Sequence, residues 1–180
     1  LNWKGLNMLK VVVTLIFAFM LVVNLYAEDE VYNYINEWNG TLNVESFLDE
    51  TANDFPVVHF NGSINLLGNV TFEEERFSDG NYCLYTVMYH PSEAKVRITG
   101  TCRHFAEEEH YLYTRYIGEF DGPVDEGINE VFILGGEGRF EGATGEGIME
   151  WNTHASAKDP RNPGIRFMSG ITKLSVQFDE

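Results

Sequence analysis

Beyond residue 56, apolar and polar residues alternate with period two over most of the chain, and Gly, Pro, Asn and Asp cut the apolar runs at short intervals. That is the pattern of half-buried strands joined by tight turns. The strand-like runs are Val57 to Phe60, Ile64 to Phe72, Asn81 to His90, Lys95 to His104, Tyr111 to Phe120, Gly127 to Leu134, Glu146 to Trp151 and Ile165 to Phe178. Asn61-Gly62-Ser63 and Gly68-Asn69 read as bends or bulges, Glu73 to Gly80 as a charged turn, and His154 to Gly164, with its two prolines, as a long polar loop. About eight strands at hairpin spacing predict an all-β domain over residues 57 to 180, either a sandwich or an antiparallel β-barrel. Closure into a barrel removes exposed edges.

Upstream the pattern changes. Val31, Tyr34, Ile35 and Trp38 fall at helical spacing, so a short helix or irregular lid is expected there. Thr41 to Pro56 shows no sustained period and reads as a connector, making residues 28 to 56 a lid or linker segment. Val11 to Val23 is an apolar block broken only by Thr14, with Lys10 before it and Leu25-Tyr26-Ala27 after it. This is a signal-peptide pattern, helical in its apolar core, with Met8 as the start and cleavage after Ala27. The competing reading is an uncleaved anchor, because the apolar stretch comes close to the roughly 20 residues that cross a bilayer. No cysteine follows the block to carry a lipid, so the expected destination is soluble: secreted or periplasmic.

The Asn81 to His104 region permits a register test. With Pro91-Ser92-Glu93-Ala94 as the turn, Cys83 falls opposite Cys102, Tyr85 opposite Gly100, Val87 opposite Ile98 and Tyr89 opposite Val96, all on one face. The other face, from Leu84 and Thr101 to His90 and Lys95, is the solvated one. Directly opposed cysteines lie within reach of a disulfide, and export favours one over the alternative of two reduced buried thiols.

Five glycines stand between 135 and 145, in Gly135-Gly136-Glu137-Gly138-Arg139-Phe140-Glu141-Gly142-Ala143-Thr144-Gly145. A phosphate loop does not fit, since the Lys-Ser/Thr ending and the following helix are missing, and a dinucleotide fingerprint fails likewise. The run reads as a strand that leaves the sheet, turns through positive φ, drops Phe140 into the core and returns. It resembles, position by position, the Gly-Gly-x-Gly-x-Phe-x-Gly-Ala-x-Gly signature of the allene oxide cyclase and dirigent barrel superfamily. The order of strands around the block is similar too. The resemblance implies an antiparallel barrel whose apolar cavity holds a small hydrophobic molecule, and association as a homo-oligomer, trimeric in plant members. Enzymatic members cyclise an unsaturated fatty-acid epoxide and dirigent members steer coupling of phenolic radicals. No motif outside the glycine block carries either activity over, and Gly135, Gly136, Gly138, Phe140, Gly142 and Gly145 are structural in the family.

Composition narrows the partners. The 180 residues include 12 Lys and Arg against 28 Asp and Glu, a formal charge of −16, which repels nucleic acid and anionic lipid. Loss of the leader removes Lys4 and Lys10 and no acid, lowering the charge to −18. The cavity candidates are Tyr85, Val87, Tyr89, Val96 and Ile98 on the cysteine face, with Tyr116 from the following strand. In that strand the less charged face (Leu112, Thr114, Tyr116, Phe120) competes with Tyr113, Arg115 and Glu119 for the inward position. A small barrel fills its interior, so a filled core or modest cavity is expected. His104 and His110 bracket Glu107-Glu108-Glu109, but four ordered metal ligands are not evident, and no metal or other cofactor is expected. Asn39, Asn61 and Asn69 open Asn-x-Ser/Thr triplets, which are glycan acceptors only in a eukaryotic secretory route. The expected function is an exported barrel that binds a small hydrophobic or aromatic molecule, or a non-catalytic interaction module. A cyclase or isomerase of the allene-oxide type and a self-associating surface protein are the alternatives.

Overall fold

A computed structural model describes residues 30–49, 58–90, 93–106, 109–122, 125–159 and 162–178. Eight strands follow one another: β1 (Tyr32–Asp49), β2 (Val58–Phe72), β3 (Glu75–His90), β4 (Lys95–Ala106), β5 (Tyr111–Asp121), β6 (Glu126–Glu137), β7 (Ala143–Asp159) and β8 (Asn162–Phe178). Each pairs antiparallel with the next, and β1 pairs with β8, from Tyr32 opposite Val176 to Asn43 opposite Ile165, so the sheet closes into a barrel. Closure leaves no strand with an unpaired edge.

The register of β3 and β4 follows the predicted pairing throughout, with Cys83 opposite Cys102, Val87 opposite Ile98 and His90 opposite Lys95. The two cysteines are joined as a disulfide. Alternation then sets the faces: Cys83, Tyr85 and Val87 are buried while Tyr82 and Leu84 are exposed. On β5 the structure turns Leu112, Thr114 and Tyr116 inward and leaves Arg115 exposed, which resolves the open choice of face.

Several local expectations are corrected. Residues 32–49 form a strand, not a helical lid and connector; residues 50–56 lie outside the described residues, as do the leader and its cleavage point. Tyr34, Asn36 and Trp38 all point inward with period two, and Asn36 disguised that period because a polar residue occupies a core position. Only Glu73 and Glu74 form the turn placed over 73–80, the rest belonging to β3. The bends expected at 61–63 and 68–69 are ordinary ladder positions in the β2–β3 pair; the irregularity falls on β1, between Val44 and Ser46. The polar loop of 154–164 is largely strand, with the β7–β8 ladder shifting between Thr153 and Lys158.

The glycine block performs the predicted turn. A ladder shift leaves Leu134 unpaired and exposed beside Gly135, and a single 3-10 turn, Gly138–Phe140, follows β6. Gly138 has φ +65, and a Cβ there would collide with the His110 ring, so this position needs glycine on both counts. Phe140 is fully buried and packs against Phe72 (5.3 Å between ring centres) and Tyr34 (6.2 Å), plugging one end of the barrel. Arg139 lies over Phe72 and Phe77 and donates to Glu75 at 2.9 Å. The interior therefore has a filled aromatic end near Phe140 and an opposite end near the β3–β4 and β5–β6 turns.

Candidate functional site

The opposite end is less completely filled by the described residues. A cavity of about 470 Å³ occupies it, within the size range of small-molecule sites. All six residues nominated from the sequence, Tyr85, Val87, Tyr89, Val96, Ile98 and Tyr116, line it. The alternation that buries the disulfide places them there: Tyr85, Val87 and Tyr89 follow Cys83 at two-residue steps toward the β3 end, and Val96 and Ile98 face them from β4. Tyr116 joins from β5, opposite Gly100.

The lining continues through strands the sequence reading did not use. β1 supplies Leu42 and Val44, β2 supplies Ile64, and β7 and β8 supply Met149, Trp151 and Met168. The signal for them was present as two-residue spacing within 42–44, 149–153 and 166–168, and each set continues the same inward parity. At the rim stand Asp125, Thr153 and Arg166. The Thr153 hydroxyl donates to the Asp125 backbone carbonyl at 3.0 Å, which ties the end of β6 to β7.

The walls are mainly aliphatic and aromatic, and the polar groups are few. Tyr85 donates to the Asn43 carbonyl at 2.9 Å. Burial pushes its phenol well above the ordinary range; Glu45 adds to that shift and Arg166 opposes it. The Tyr116 phenol is raised chiefly by burial and next by Tyr85. Both rings therefore remain neutral hydroxyls at ordinary pH. Tyr116 Oη, Asn129 Oδ1 and Trp151 Nε1 are buried and meet no hydrogen-bonding group among the described residues. Those three residues all line the cavity. Each such atom costs free energy on the order of 1–3 kcal/mol until it finds a partner.

The lining holds no His or Cys among the described residues, and its one carboxylate, Asp125, stands at the exposed rim. Nucleophile–base pairs of the usual kinds are therefore not assembled by these residues. His104 and His110 do not come together: His104 is buried in the lumen, bonded to Thr114 at 3.0 Å, whereas His110 accepts from the Arg139 backbone N–H at 3.1 Å. No cluster of three or more His, Cys, Asp or Glu suited to a metal is found among the described residues. No protein-family model matches the chain, and no curated protein matches it.

Proposed function

We propose that this chain is an exported β-barrel protein that binds a small apolar or aromatic molecule in the cavity beneath the β3–β4 turn, without transforming it. The observation that carries this reading is the cavity itself. About 470 Å³ of space is walled by Val87, Val96, Ile98, Met149 and Met168, with Tyr85, Tyr116 and Trp151 offering aromatic faces. Apolar walls with a few fixed polar groups are the usual composition of a small-molecule site. Arg166 gives the mouth a cation in a strongly acidic chain.

Export rests on the leader pattern of residues 1 to 27, and the Cys83–Cys102 disulfide is consistent with an oxidising compartment. Membership of the allene oxide cyclase and dirigent superfamily is supported by the glycine block, whose Phe140 plugs the barrel end. Native mass spectrometry of the mature protein purified from its source tests the reading. A retained molecule of low mass and apolar character, released on unfolding, is the expected result; protein that is consistently bare and takes up no aromatic probe would overturn it.

One observation favours a second reading. Tyr116 brings a neutral phenol to the cavity wall and Asp125 a carboxylate to its rim, the two group types that an allene-oxide-type cyclase would use. Turnover of an unsaturated fatty-acid epoxide to a cyclopentenone, lost in Tyr116→Phe, would replace the binding reading with this one.

A further inference from the structure

Below the disulfide, away from the cavity, the lumen contains a second polar group of side chains. Asp79 and Asn81 precede Cys83 on the inward face of β3, His104 follows Cys102 on β4, and Thr114 faces Cys102 from β5. Tyr34 and Asn36 reach in from β1. All six are buried, and the Asp79 side chain has no exposure at all. Phe72, Phe140, Leu112 and Val176 close the end beyond them, so bulk water has no route to the cluster from that side.

The hydrogen bonds here are lopsided. Asp79 Oδ2 accepts from Tyr34 Oη at 3.0 Å and from Asn36 Nδ2 at 2.8 Å, with His104 Nδ1 at 3.6 Å. His104 Nε2 lies 3.0 Å from Thr114 Oγ1. Yet Asp79 Oδ1, Asn36 Oδ1 and both polar atoms of the Asn81 amide meet no hydrogen-bonding group among the described residues. A carboxylate oxygen and a whole amide left bare inside a barrel would cost several kcal/mol together.

Residues 79 and 81 are two apart on one face of a strand, hence about 6.7 Å apart along it. The two side chains are therefore neighbours, yet Asp79 Oδ1 and the Asn81 amide do not bond one another, which leaves a gap between them. A single oxygen that donates to the carboxylate and accepts from the amide N–H spans it. We infer that the barrel has a second, closed binding site: an internal water bridging Asp79 Oδ1 and Asn81, in a polar chamber separated from the cavity by the layer of the Cys83–Cys102 bridge. The water joins Asn81 to the Asp79 network, which already links β1 to β3 across the lumen. It is one of the few internal waters a chain of this size is expected to hold, each making about three hydrogen bonds. A monovalent cation is the rival occupant, since it would serve the oxygens but leave the amide N–H bare.

Two measurements on the full chain decide. Crystals grown in rubidium chloride are expected to show a peak without anomalous signal, within hydrogen-bond distance of Asp79 Oδ1 and Asn81 Nδ2. An anomalous rubidium peak, or a direct Asn81–Asp79 contact with nothing between, would overturn the inference. In solution, oxygen-17 relaxation dispersion is expected to register a long-lived water that Asn81→Leu loses while far-ultraviolet circular dichroism is kept; equal dispersion in both proteins would contradict it. Should that variant not fold, the wild-type crystal remains decisive. Neither result depends on whether the cavity binds a ligand.

Discussion

Tyr116 lies over Gly100, its cross-strand partner in the β4–β5 ladder, and the end of its phenol fills the place where a side chain on residue 100 would begin. A Cβ there would also overlap the Leu84 backbone carbonyl, which cannot yield as a side-chain tip can. Gly100→Ala is therefore expected to destabilise the barrel by about 1–3 kcal/mol through overpacking. It also pushes Tyr116 into the cavity. Urea unfolding and probe binding together check both effects, and an unchanged midpoint would show that the wall is softer than its packing implies.

The Cys83–Cys102 bridge closes a loop with a sequence separation of 19. In the chain-entropy model such a crosslink stabilises by about 3 kcal/mol. The Cys83→Ser/Cys102→Ser variant is expected to lose that amount, read as a lower urea midpoint, with a slope that is steeper because the unfolded chain is no longer held compact by the crosslink. Reductant should produce the same loss in the wild type and none in the variant.

Removing the Tyr116 hydroxyl has an opposite sign. Its oxygen is buried without a protein partner, so Tyr116→Phe should leave the free protein equally stable or raise its stability by about 1 kcal/mol. Affinity for a hydroxyl-bearing aromatic such as 2-naphthol should fall, while affinity for naphthalene is kept. Calorimetry with the two probes reads the difference.

Burial raises the phenols of Tyr34, Tyr85 and Tyr116, with Asp79 adding to Tyr34 and Glu45 to Tyr85. An unfolded tyrosine ionises at about pH 10. Below that pH all three are protonated in both states and their contribution to stability is complete. As pH rises past it, the unfolded chain loses protons that the folded barrel keeps, so stability falls toward the higher folded values. The urea midpoint should be flat from neutral pH to about 9 and drop above about 10. Tyrosinate absorbance should appear for these rings only with unfolding, and Tyr116→Phe should lessen the drop.

Much of this architecture was legible because local chemistry and global closure agree. The turn residues Pro91-Ser92-Glu93-Ala94, read from the sequence alone, predict the pairing of Cys83 with Cys102 that the β3–β4 register has, and one correct pair determines every inward residue of that hairpin, cavity lining included. The glycine block announced the Phe140 plug, since few other motifs need so many permissive positions around one aromatic. What escaped is where polar residues occupy core positions. The Asn36 amide N–H donates to Asp79 Oδ2 at 2.8 Å inside the barrel, a contact no local pattern contains, so β1 looked helical and the start of β3 looked like a turn. Trp151 and Met168 were missed for a different reason: Gly147 and Gly170 interrupt the inward set while the apolar Ile148 and Phe167 stand on the outer face, so the inward set is recognisable only once the barrel's parity is known from β3.

The central claim is that the cavity end of the barrel accepts a small aromatic or apolar molecule. Val87 and Ile98 face each other across β3 and β4 in the cavity wall, so Val87→Trp fills the space without touching the plug at Phe140. Titration of the protein with 2-naphthol, followed by calorimetry, is the most direct measurement. Saturable binding at one site in the wild type, abolished in a folded Val87→Trp variant, is the result this account predicts. Absence of binding, or equal binding in both proteins, would contradict it.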